Sequence, residues 1–248
     1  YLFVDALVDG LESARLLTGR ALQRLEDGGG QVTAVTDGAA GQAVIQAERV
    51  ILAAPPRLAA ARIGFQPALP SVAIETMRSV PTWMAGQAKL VAVYARPFWR
   101  EQGHSGSAIS HLGPLVEVHD ASPASGSTGA LFGFVGIAAA ARRADPGGLE
   151  QAAIRQLERL FGAPAAQPLA VALQDWASDP WTAVPEDAAA VPEHPAGGLP
   201  AALRDLWQGR LTLAASELAP TSPGLLEGAL EGADAAWSGL GRSVLARP

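Results

Sequence analysis

The sequence has no cysteine, and Lys89 is its single lysine among 18 lysines plus arginines. Without cysteine there is no disulfide, no thiol nucleophile and no thiolate-bound zinc, and the compartment is left open with the cytoplasm as default. No run of roughly 18 apolar residues occurs and no charged-then-apolar leader is visible, so neither a membrane span nor an export signal is read. A net charge of −6 argues against nucleic acid and anionic membrane as partners. The four histidines, His104, His111, His119 and His194, lack metal-site spacing, although His111, His119 and Asp120 sit where adjacent strands would bring them near one another. Ser105 and Ser107 lie in a Gly-flanked loop without a nucleophile elbow.

What is present suits a packed protein: 49% hydrophobic and 17% charged residues over 248, enough for one domain or two. Arginine in place of lysine, with abundant alanine, glycine and proline, matches GC-rich coding. That explains why lysine is scarce but not where the survivor stands. The chain opens on Tyr1 rather than Met, as a fragment or processed product would.

Along the chain, residues 7–56 predict a short helix and then a β-meander punctuated by Gly28–Gly30 and Gly38–Gly41. "RVILAAPP" predicts a buried strand stopped by Pro55 and Pro56. Proline-punctuated sequence around a short helix follows, then the strand "QAKLVAVY" and three more strand-like runs, "SGSAIS", "GPLVEVHD" and "GALFGFVG". "DPGGLEQAAIRQLERLFG" predicts a helix capped by Asp145, with Pro146 in its first turn, a stripe of Leu149, Ile154, Leu157, Leu160 and Phe161, and Gly162 at its end. A strand, a Pro-rich loop from Ser178 to Pro200, the strand "RLTLAASE" and a helix from Pro223 complete the order. This predicts α/β plus α+β architecture. Residues 1–62 and 206–248 form one sheet-based domain, interrupted by a mixed-sheet lobe over 63–205.

Lys89 shares one face of its strand with Val91 and Val93, while Ala88, Leu90, Ala92 and Tyr94 share the other. Both faces are apolar, which predicts a central strand carrying an amine that needs a partner or a shifted pKa. The same pattern also fits a lysine near a strand start whose head reaches water. At the other end, Glu217 follows a strand and Gly224 opens a helix whose backbone N–H groups suit a carbonyl-bearing or anionic ligand, although a plain chain reversal has the same pattern. The aromatics Trp83, Phe98, Trp99, Phe132 and Phe134 are expected in the core, with some free to line a pocket.

"AKLVAVYARPFWRE", "DWASDP" and "LAASELAPTSPGLLEGAL", in that order, with "AERVILAAPPRLAAARIGFQPALP" before them, resemble the flavin-containing amine oxidase family over essentially the whole chain. The resemblance implies an incomplete Rossmann-like FAD-binding domain with an inserted substrate lobe. It also implies an activity: hydride transfer from an amine-bearing carbon to flavin N5, hydrolysis of the imine, and reoxidation by oxygen to give peroxide. The implied cofactor is FAD, held non-covalently because no cysteine can form a thioether, and the implied substrate is an amine or amino acid. By resemblance Lys89 holds a water against flavin N5, and Trp176 packs near the flavin. Glu217 and the Gly224–Leu225–Leu226 helix start frame its carbonyl end, the Leu22 backbone meets the adenine, and Pro55 adjoins the cofactor.

The chain departs from the family pattern in three places. Leu225 stands where the family has an aromatic wall of the substrate cage, leaving Trp181 as the nearest aromatic for the opposing wall. Ala215 replaces the glycine of the small-residue turn. No G-x-G-x-x-G unit opens the chain, so the expected dinucleotide cradle lies on a second chain or a missing N-terminal segment, or FAD is no longer bound. The last case is that of a non-catalytic subunit or degenerate member acting as a binding module, which exposes an apolar face to a partner.

Overall fold

The computed structural model describes residues 2–11, 13–189 and 194–245. The first helix, α1 (Leu2–Asp9), buries none of its residues. After it β1 (Arg20–Asp27), β2 (Val32–Gly38) and β3 (Ala43–Ala47) form the antiparallel meander, with Leu25, Val32 and Val35 turned inward. The tip between β1 and β2 uses Gly29 at φ +83°, a conformation open to a residue without Cβ. Next comes β4 (Val50–Leu52); Pro56 then occupies the first turn of α2 (Pro56–Arg62), where its missing N–H is no loss. A short β5 (Gly64–Gln66) pairs in parallel with β1 and completes a sheet of order β3-β2-β1-β5. It leads to α3 (Ser71–Ser79), which buries Ala73 and Met77.

The chain then builds a second, antiparallel sheet. Its strands are β6 (Ala88–Tyr94), β7 (Ala108–Ile109), β8 (Leu115–Asp120), β9 (Gly129–Val135) and β10 (Ala170–Asp175), in the order β10-β6-β9-β8-β7. The Lys89 strand is therefore interior, and its burial alternates strictly: Ala88, Leu90, Ala92 and Tyr94 are sealed, with Lys89, Val91 and Val93 half-buried. Three helices accompany this sheet: α4 (Phe98–Glu101), α5 (Ala139–Ala144) and α6 (Pro146–Phe161). The Asp145 carboxylate accepts from the Gly148 amide at 2.8 Å, and Gly162 at φ +88° ends α6. Leu149, Ala153, Leu157 and Phe161 pack with Leu90, Trp99, Leu115 and Leu131 in one core.

Finally β11 (Leu211–Leu213) pairs in parallel with β4, and α7 (Leu226–Leu245) follows. A second core joins Leu25, Val32, Leu52, Met77, Leu203 and Leu211. Residues from α3 and from Leu203 to Leu206 thus pack with the meander and the β4–β11 pair. The two halves are tied by Arg57 of α2, which donates to the Arg78 carbonyl at 2.8 Å and pairs with the buried Asp187 carboxylate at 2.6 Å. Among the described residues no helix is long and apolar enough to cross a membrane.

Candidate active site

Lys89 lies opposite Gln174 on β10 and Phe134 on β9. Its Nζ stands 5.3 Å from the Phe134 ring centre and 5.7 Å from that of Phe132. Among the described residues no carboxylate pairs with it. The electron-rich ring faces are the polar partner that this sheet offers the amine.

Lys89 opens onto a cavity of about 540 Å³. Trp176, Gly224, Leu225 and Leu226 line the same cavity, so the structure brings together five positions that lie up to 137 residues apart. Trp176 reaches it because β10 ends at Asp175, opposite Ala88, and the Trp176 amide donates to the Gln87 carbonyl at 3.1 Å. Gly224 has φ +74°, and a Cβ there would stand 2.7 Å from the Trp83 Cβ, so the residue must be glycine for two reasons. The helix start offers fewer donors than its sequence suggests. The Gly224 amide already serves the Ser216 carbonyl at 3.0 Å and the Leu225 amide serves Ser222 at 3.2 Å. The Leu226 amide, first in α7, has no acceptor among the described residues.

The remaining predicted positions fall elsewhere. Leu22 borders a second cavity of about 370 Å³ with Leu52, Ala54 and Leu58. Trp181 lies on that second cavity, 66% exposed, with the Arg62 guanidinium 6.0 Å from its ring. Its neighbour Thr182 borders the Lys89 cavity instead. Pro55 is half-buried and accepts from the Ala59 amide at 2.9 Å, opening α2. Glu217 is buried next to the cavity rather than on it, and accepts from the Ser216 hydroxyl at 3.1 Å.

Met84, Thr182 and Ser216 line the cavity without having been singled out in the sequence, and Trp83, one of the aromatics expected in the core or free to line a pocket, lines it too. Trp83 carried the only signal, as an aromatic in the loop leading to the Lys89 strand; in the structure its ring meets that of His194 at 4.6 Å. The other histidines do not line this cavity. His119 stacks on Phe132 at 6.1 Å and bonds Glu117 at 2.8 Å, while His104 and His111 are exposed. Asp120 is engaged by Trp99, Arg100 and Ser122. Burial would raise its carboxyl, but these hydrogen bonds hold it well below the usual carboxylate range. No group of His, Asp or Glu that could hold a metal occurs among the described residues.

A family profile for flavin containing amine oxidoreductases matches residues 2–237. The chain belongs to this family. A putative flavin-containing monoamine oxidase of Mycobacterium tuberculosis is 35% identical over 170 residues, covering 67% of this chain and 35% of that protein. An L-amino acid dehydrogenase of Synechocystis is 30% identical over 211 residues, 77% of this chain and 40% of that protein. Among solved structures, a putrescine oxidase triple mutant superposes with a TM-score of 0.72 at 23% identity, over 95% of this chain and 51% of its own. Cyclohexylamine oxidase from Brevibacterium oxydans gives 0.67 at 25% identity, over 90% and 48%. The chain therefore spans about a third to two fifths of these sequence relatives and about half of these structures.

Family membership implies a flavin, and the cavity fits its ring end. Trp83, Trp176 and Leu225 give it apolar lining, Lys89 one amine, and the Leu226 amide at a helix N-terminus one donor unengaged among the described residues. The pyrophosphate end has no counterpart here, because no G-x-G-x-x-G turn between a strand and a helix occurs among the described residues.

Proposed function

We propose that this chain is the flavin-facing and substrate-facing part of an FAD-dependent amine oxidoreductase, with FAD held non-covalently. The observation that carries this reading is the convergence of Lys89, Trp176 and the start of α7 on one cavity. Bound flavin would supply the two-electron acceptor for oxidation of an amine-bearing carbon to an imine, and oxygen would reoxidise it. Lys89 holds a water by donating from Nζ at the reacting face. Trp176 would wall the ring, and the Leu226 amide would donate to its carbonyl end. The Leu22 backbone and Pro55 border the run toward the adenine. Glu217 acts from behind, fixing the Ser216 turn to which Gly224 is tied.

The substrate is an amine or amino acid. Leu225, half exposed where an aromatic wall would stand, gives it an apolar surface, and Trp181 belongs to the approach rather than to the cavity. The dinucleotide-binding unit docks on the face formed by β4, β11 and α7. That face carries a cavity of about 480 Å³ beside Ile51, Ala214, Ala233 and Trp237, with Trp237 75% exposed. A parallel pair of two three-residue strands is incomplete on its own, because parallel sheets are normally extended and covered on both faces.

Replacing Lys89 with Met separates the two half-reactions. In stopped-flow measurements on the flavin-loaded protein, reoxidation by oxygen should slow on the order of 100-fold, with reduction by an amine changed far less. Unchanged reoxidation would remove Lys89 from the reaction.

A further inference from the structure

Arg142 is not on the Lys89 cavity, yet its hydrogen bonds reach both turns that shape it. The residue lies in α5 and is 4% exposed. Its guanidinium grips the Asp175 carboxylate with two bonds, Nε to Oδ2 at 3.0 Å and Nη2 to Oδ1 at 2.7 Å. Nη2 also donates to the Gly86 carbonyl at 2.9 Å, and Nη1 donates to the Ile137 carbonyl. Asp175 in turn accepts from the Ala177 amide at 3.2 Å and so caps the short turn that begins with Trp176. Gly86 lies between cavity-lining Ala85 and the strand that carries Lys89, three residues on.

We propose that Arg142 is a positioning residue for the Lys89–Trp176 site. It locks the Trp176 turn through Asp175 and the approach to Lys89 through the Gly86 carbonyl. Arginine is required because a bidentate grip on a carboxylate together with bonds to carbonyls needs the several donors of the guanidinium fork. Gly86 packs closely on the Asp187 backbone, where an added Cβ would meet the Asp187 carbonyl oxygen at 2.8 Å, so no larger residue fits at this point of the clamp. The register is fixed as well: Asp175 pairs with Ala88 and Gln174 with Lys89, so a shift at Asp175 is passed across one strand pair to the amine. This inference rests on the reading of the cavity as the flavin face.

The test uses the 248-residue chain labelled with 5-fluorotryptophan, its Trp176 resonance assigned by Trp176→Phe. In Arg142→Lys the charge remains but the fork is gone, and in Asp175→Asn the fork remains but its anion is gone. Both should shift or broaden the Trp176 fluorine signal, leaving that of Trp99, in the core of the same lobe, where it was. Arg142→Gln should displace Trp176 further than Arg142→Lys. An unmoved Trp176 signal in both milder variants overturns the proposal. So does joint loss of the Trp176 and Trp99 signals in every variant, which would make Arg142 a residue of fold stability alone. In the flavin-loaded protein the same Arg142→Lys change should lower kcat on the order of 10–100-fold with little change in KM. A wild-type chain that binds no flavin defeats the proposed function, while the fluorine signals still report on the clamp.

Discussion

At the scale of single residues, the chain's one lysine stands in an interior strand between fully buried neighbours, and among the described residues its amine faces aromatic rings rather than an acid. Other residues of the site are equally constrained. Gly224→Ala forces a methyl against Trp83 and an L-residue into left-handed backbone, which costs about 1–3 kcal/mol. The variant should melt lower than wild type by differential scanning calorimetry, and an unchanged melting temperature would mean that the turn relaxes freely. Tyr94, at the far end of the Lys89 strand, has its phenol pushed up to about 12 by burial, and its hydroxyl donates to the Ala165 carbonyl at 3.0 Å. A raised pKa stabilises the fold fully below the unfolded value near 10 and is lost as pH rises through 12. Denaturant titrations from pH 9 to 12 should therefore show stability falling, with Tyr94→Phe flattening that fall.

At the scale of elements, much was legible in the sequence because the signals were local. Asp145, Pro146 and Gly162 delimit α6 to the residue, and Pro55–Pro56 separates β4 from α2. What was not legible is polar and long-range. Gln156 lies outside the apolar stripe read on α6, yet it is 1% exposed and its amide serves both backbone groups of Leu115, at 2.8 and 2.7 Å. No periodicity announces a side chain that replaces a strand partner 41 residues away. Gln156→Leu should strand a buried N–H and C=O and destabilise the chain by about 1–3 kcal/mol in a urea unfolding curve. A loss of under about 0.5 kcal/mol would mean that water replaces the amide. Thr182 and Ser216 escaped notice for the same reason, since small polar residues gain a role only when distant turns converge.

At the scale of the whole molecule, segments from the two ends of the chain that share the second core are joined by a long-range ion pair. Asp27 at the end of β1 accepts from Nε and Nη2 of Arg210, at 2.7 and 2.8 Å, across 183 residues. The bonds from Arg210 outweigh burial and hold the Asp27 carboxyl below its ordinary range. A lowered carboxyl stabilises the fold above its unfolded pKa near 3.9, and that contribution is lost as pH falls through the folded value. Arg210→Gln should make the acid limb of the stability curve shallower, and an unchanged limb would show the pair to be idle. The succession of strand and helix signals along the chain was legible in the sequence. The closure of residues near 70 and 203 into the second core was not, because no sequence pattern marks which layer a helix joins.

The central claim is that the Lys89 cavity faces a flavin whose dinucleotide cradle lies outside the described residues. Native mass spectrometry of the protein purified from its own host tests this most directly. The account predicts FAD that leaves intact on denaturation, carried together with polypeptide beyond this chain's 25.4 kDa. A bare 25.4 kDa species that takes up no added FAD would contradict it.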